Sequence, residues 1–88
     1  METTFKISLD SITEVNDFAN IIAHFHSEID LSSGRYIVNA KSIMGIFSLD
    51  LTKPLTLTVH NDDEIDEIKK SLKPFLANKK AMINPQII

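Results

Sequence analysis

The run Val38-Asn39-Ala40-Lys41-Ser42-Ile43-Met44-Gly45-Ile46-Phe47-Ser48-Leu49 changes its periodicity in mid-course. Upstream, Arg35 to Ala40 alternates: Tyr36, Val38 and Ala40 share one face of a strand, and Arg35, Ile37 and Asn39 share the other. At Ser42 the period lengthens. At about 100° per residue, Ile43, Ile46 and Phe47 fall on one stripe of a two-turn helix, with Met44 at its margin. Ser42 is the expected N-cap. A strand that passes at once into a short apolar helix points to a mixed α+β domain. Ile46 and Phe47 are expected mostly in the core, and Met44 is the best candidate for exposure.

Working toward the N-terminus, Ser33-Gly34 has the chemistry of a hairpin turn, with Glu28 to Ser32 alternating before it. Phe5, Ile7 and Leu9 alternate with Thr4, Lys6 and Ser8, which predicts a half-buried first strand. Ser11-Ile12-Thr13-Glu14 has the form of a capping box. After it, Val15, Phe18, Ala19, Ile22 and Phe25 make one apolar stripe of a helix expected to end near His26.

Toward the C-terminus, Leu55, Leu57 and Val59 alternate with Thr56, Thr58 and His60 in a fourth strand. Asn61-Asp62-Asp63 supplies turn and cap chemistry. Ile65, Ile68, Leu72, Phe75 and Leu76 form the inner stripe of a last helix, which Pro74 kinks or shortens. Acidic residues crowd the start of this helix and lysines its end, matching the helix dipole. Residues 78–88 form a tail without clear period. The order is β-α-β-β-α-β-α in one domain of 88 residues, with helices over one face of the sheet and water on the other.

Composition narrows the chemistry. Hydrophobic residues are 43% and charged residues 24%, an ordinary globular balance. Cysteine is absent, which removes disulfides, thiolate metal sites and cysteine nucleophiles. Net charge of −3 argues against direct nucleic-acid binding. Two glycines, Gly34 and Gly45, exclude a P-loop or dinucleotide fingerprint. The three histidines, His24, His26 and His60, lack metal-ligand spacing, so no metal and no cofactor is expected. The acidic, polar start is not a signal peptide, and no apolar run reaches the length of a membrane span. The chain is expected in the cytoplasm and is not expected to be an enzyme.

The stretch from Val38 to Leu49, with its Lys41-Ser42-Ile43-Met44-Gly45 core, resembles the regulatory-serine segment of HPr. That family comprises the small phosphocarriers of the bacterial phosphoenolpyruvate:sugar phosphotransferase system. Thr4-Phe5-Lys6-Ile7 resembles the family's first strand, and the resemblance extends roughly over residues 3–77. It implies an α+β open-faced β-sandwich, with four antiparallel strands and three helices on one face. It also implies ATP-dependent phosphorylation of Ser42 by a dedicated kinase, and a docking patch at Lys41, Ile43, Met44 and Phe47. Expected partners are that kinase, a transcriptional regulator and phosphotransferase components.

One departure stands out. Family carriers hold a phosphate-accepting histidine just before the first helix, in a Gly-Ile-His-Ala-Arg-Pro type motif. Here the stretch is Asp10-Ser11-Ile12-Thr13-Glu14-Val15-Asn16-Asp17, without histidine, arginine or proline. No catalytic residue is therefore assigned. The expected function is a non-catalytic regulatory or protein-binding variant controlled at Ser42. The alternatives are an active carrier using His24, His26 or His60, and a diverged structural or oligomerisation module.

Overall fold

A computed structural model describes residues 2–77. Four strands, β1 (Thr3–Ile7), β2 (Ile29–Ser33), β3 (Tyr36–Asn39) and β4 (Leu55–Val59), form one sheet in the order β1-β4-β2-β3. Each neighbouring pair is antiparallel. Thus β1 and β2 run parallel, and β4, the last strand in sequence, lies between them. Helix α1 (Ile12–Ile22) makes the crossover from β1 to β2. Helix α2 (Ile43–Phe47) follows β3, and α3 (Ile65–Ser71) follows β4. The family-like α+β sandwich with helices on one face is the architecture found.

The period of two sorts the sheet. Ile7, Ile29, Leu31, Leu55, Leu57 and Val59 point inward and are fully or nearly fully buried. Thr4, Lys6, Asp30, Ser32, Thr56 and Thr58 take the opposite, open face. There Lys6 sits across from Thr56 and its Nζ donates to the Thr56 Oγ1 at 2.8 Å. Val15, Phe18 and Ile22 from α1, Ile46 from α2, and Ile68 from α3 complete the same apolar cluster. Each buried side chain of this size contributes about 1.5–3 kcal/mol.

Several boundaries differ from the sequence expectation. Helix α1 stops at Ile22, not near His26, because its end tightens: the His24 and Phe25 N–H groups donate to the Ile21 and Ile22 carbonyls. Phe25 still reaches the core from this turn. The first strand ends at Ile7, and Leu9 is buried beyond it. The hairpin loop is Gly34-Arg35, one residue later than Ser33-Gly34, because Ser33 pairs with Tyr36. Gly34 takes φ of 59° there, as the first loop position of a tight hairpin demands. The last helix ends at Ser71, and Phe75 and Leu76 reach the core otherwise. A 3₁₀ turn, Lys73–Phe75, built on Pro74 carries Phe75, and Leu76 bridges to Ile7 of β1. The tail 78–88, with Lys79 and Lys80, lies outside the described residues.

Candidate functional site

The start of α1 is closed by its own side chains. The Ser11 Oγ accepts from the Glu14 N–H at 3.1 Å, and the Glu14 carboxylate accepts from the Asp10 N–H at 2.8 Å. This is the predicted capping box with its return bond moved one residue upstream. The Asp10 and Glu14 N–H groups are thus engaged from within. Thr13 is exposed here, and Ile12 presents its side chain to solvent at 68% exposure.

Ser42 caps α2 as expected. Its Oγ accepts from the Gly45 N–H at 3.2 Å, its backbone is extended at φ −100° and ψ 104°, and its carbonyl receives the Ile46 N–H. The side chain is exposed. Replacing Ser42 with alanine removes this acceptor and is expected to cost about 1 kcal/mol; chemical denaturation checks it.

Around Ser42 the predicted patch divides. Met44 is 82% exposed, and Ile43 is 39% exposed. Phe47, expected mostly in the core, is 41% exposed, whereas Ile46 is fully buried. Five residues of helix offer only one inward position, and Ile46 takes it. Lys41 is tied down: its Nζ donates to the Phe25 carbonyl at 2.7 Å, and its N–H donates to the Asn39 Oδ1 at 2.8 Å. Its charge therefore braces the segment joining α1 to β2.

Helices α1 and α2 pack together. Between the start of α1 and the end of α2 lies a groove of about 400 Å³, lined by Ile12, Phe47 and Leu51 over Leu9, with Asp10 and Thr52 at its rim.

The histidines lie elsewhere. His24 and His26 are exposed, beyond the end of α1. His60 is at the end of β4, with Nε2 2.7 Å from the Asp30 Oδ2 and Nδ1 2.9 Å from the Glu2 Oε2. Donating from both nitrogens requires the imidazolium. The Asp30 hydrogen bond is the main cause that raises the His60 pKa, with the Asp30 and Glu2 charges adding to it. A raised folded-state pKa gives stabilisation that is complete below about 6.5 and lost as pH rises through the folded value. The stability difference between wild type and His60→Gln is therefore expected to shrink from pH 6 to pH 9 in denaturant titrations.

Glu64, one of the acidic residues at the start of α3, does more than match the helix dipole. It caps the loop after α1: its Oε1 accepts from the Ser27 Oγ at 2.7 Å and from the N–H groups of Ser27 and His26 at 2.8 and 2.9 Å. The Ser27 hydroxyl bond leads the causes that lower its pKa. This stabilisation is present above the usual carboxylate range and lost as pH falls through the folded value. No local pattern marks this contact in the sequence, because Ser27 and His26 lie 37 and 38 positions before Glu64.

Among the described residues, no group of three or more His, Cys, Asp or Glu side chains is placed to hold a metal ion. No helix among them is long and apolar enough to cross a membrane.

Comparison with known proteins bears on the same surface. A family model for the phosphorylation site of the PTS HPr component matches residues 14–78. The match opens inside α1, so Asp10 to Thr13 lie outside it. Among solved structures, HPr-C-His from Thermoanaerobacter tengcongensis is 31% identical, with a TM-score of 0.69, covering 90% of this chain and 93% of that one. The phosphocarrier protein HPr of Bacillus anthracis str. Ames is 25% identical, with a TM-score of 0.65 and coverage of 86% and 95%. A histidine-containing phosphocarrier protein of Mycoplasma shares the fold at 17% identity, with a TM-score of 0.62 over 88% and 99% of the chains. No curated protein matches the sequence. With its β1-β4-β2-β3 sheet, its serine-capped α2 and a family match across most of its length, the chain belongs to the HPr family of the phosphotransferase system.

Proposed function

We propose that this HPr-family member is a regulatory, protein-binding variant that does not carry phosphate on histidine. The observation that carries the reading is the start of α1. Where carriers of the family hold their histidine, this chain has Ser11 and Glu14 engaged in a capping box. A carboxylate there repels an incoming phosphoryl group. A serine or threonine phosphoester could not replace phosphohistidine, because it is a much poorer phosphoryl donor. His24 and His26 lie past the opposite end of the helix, and His60 is clasped by two carboxylates.

The retained chemistry is at Ser42. Its hydroxyl is exposed, and a phosphate placed on it meets the N–H groups and dipole of α2, so the helix is kept while the surface charge changes. Ile43, Met44 and Phe47 form the adjoining docking surface, with Lys41 bracing its base. The partners are proteins, by resemblance a kinase and a transcriptional regulator, in the cytoplasm.

Two assays test the reading. Incubation with enzyme I, magnesium and phosphoenolpyruvate is expected to leave no acid-labile phosphate; stoichiometric labelling would overturn it. The serine kinase with ATP is expected to label the wild type and not Ser42→Ala. Equal incorporation in both excludes Ser42.

A further inference from the structure

The two edges of the sheet differ. On β1, Lys6 carries a charge, and Leu76 bridges to Ile7 at the end of the strand. On β3, Tyr36, Ile37, Val38 and Asn39 bear no charge. Tyr36 is 72% exposed and Ile37 68% exposed, one on each face of the strand, so α2 leaves both uncovered. Proteins usually blunt an edge with a charge, a proline, a bulge or a covering element. Among the described residues, no strand pairs with the outer side of β3.

The register decides which backbone groups face outward there. The Ala40 N–H donates to the Ile29 carbonyl at 2.9 Å, so the even-numbered residues of β3 are those that bond to β2. By the alternation of an antiparallel ladder, Ile37 and Asn39 turn outward. The Asn39 carbonyl is taken by the Ser42 N–H. Ile37 presents one donor and one acceptor on the same residue, which is what a two-fold axis at this position requires: each copy donates to the other and accepts from it.

The side chains suit the same axis. Ile37 falls opposite its own copy on the open face of the sheet. On the other face Tyr36 falls opposite Val38, an aromatic against a β-branched residue, the kind of cross-strand pair that stabilises sheets. Arg35, the nearest cation, falls opposite the Asn39 amide, so no like charges meet.

We infer that β3 pairs antiparallel with β3 of a second copy of this chain about a two-fold axis at Ile37, joining two four-stranded sheets into one. The inference is independent of the docking surface on α2. Because the contact is confined to one short strand, the dimer is weak, with a Kd on the order of 100 µM.

The test uses the full chain. Sedimentation equilibrium from roughly 10 µM to 1 mM, tenfold either side of that value, is expected to show a monomer–dimer equilibrium. Ile37→Lys opposes two ammonium groups across the axis and should weaken the dimer at least about tenfold. Its circular dichroism should match wild type, since the side chain it replaces is exposed. The chain has no cysteine, so single introduced thiols report the register. Directly opposed residues of a hydrogen-bonded pair have Cα atoms about 5.5 Å apart, within disulfide reach. Ile37→Cys is therefore expected to form a disulfide-linked dimer under mild oxidation. Arg35→Cys lies four residues out of register with its copy, about 14 Å along the strand, and should cross-link about tenfold more slowly.

A chain that stays monomeric throughout the concentration range overturns the inference. Association that survives Ile37→Lys overturns β3 as the contact, and equal cross-linking of the two thiol variants overturns the axis at Ile37.

Discussion

Phe18→Ala is expected to destabilise the protein by about 3–5 kcal/mol, the range for emptying an aromatic site in a packed core. Phe18 is fully buried, and its ring meets Phe75 edge-on, with centroids 6.1 Å apart and planes at 84°. Such a pair adds about 0.5–1.5 kcal/mol beyond area burial. The loss reaches past α1, because Phe75 stands on the 3₁₀ turn that closes the chain onto β1. The Phe75 carbonyl accepts the Ser8 N–H at 2.7 Å, and Leu76 bridges to Ile7. A domain of this kind has about 5–15 kcal/mol in hand, so the variant should be partly unfolded at moderate denaturant. Urea unfolding followed by circular dichroism measures it. A midpoint within error of wild type would show that the cavity collapses or that α1 is not packed on this turn.

Gly45→Val is expected to cost about 1–3 kcal/mol, and to disturb Ser42 as well. A Cβ at position 45 would lie 3.1 Å from the Val38 Cβ and 3.2 Å from the Ser42 Oγ. The first contact is with a side-chain atom joined directly to the β3 backbone, which cannot swing away. The second is with the capping hydroxyl itself. Alanine at this site gains about 0.8–1 kcal/mol in helix propensity over glycine, which offsets much of its tighter contact. Valine adds two methyl groups and loses that balance. Thermal unfolding of the glycine, alanine and valine forms should therefore give two similar midpoints and one clearly lower. The same crowding displaces the Ser42 hydroxyl, so kinase labelling of the valine form is expected to fall below that of the alanine form. A valine form as stable as wild type would mean that α2 does not lie this close to β3.

Much of this molecule could be read along the chain because the determining contacts are local. The alternation of Leu55, Leu57 and Val59 named the buried face of β4. The spacing Ser11 to Glu14 named the start of α1. Phe25 and Phe75 lie inside, as their spacing implies, although each helix ends before reaching them. At both, the chain changes its hydrogen bonding while keeping an apolar side chain on the same side. A periodicity argument sees the side chain and not the bond. Phe47 went the other way: its angle on a helical wheel matched Ile46, but a helix of five residues is too short to bury a stripe.

The sequence by itself determined which segments are strands and helices, the two serine caps, and the lack of a histidine ahead of α1. Each depends on residues within about one turn of one another, where side-chain chemistry and backbone geometry act directly. The tertiary structure decided the rest. It set β4 between β1 and β2, and so brought His60 to Asp30 of β2. It carried Glu64 onto Ser27 and His26, thirty-seven and thirty-eight positions away. It also laid Ile12 beside Phe47 and Leu51 to make a groove that neither helix owns. These juxtapositions follow from closing long loops around a shared core, a free energy that depends on the whole chain and is written in no single stretch of it.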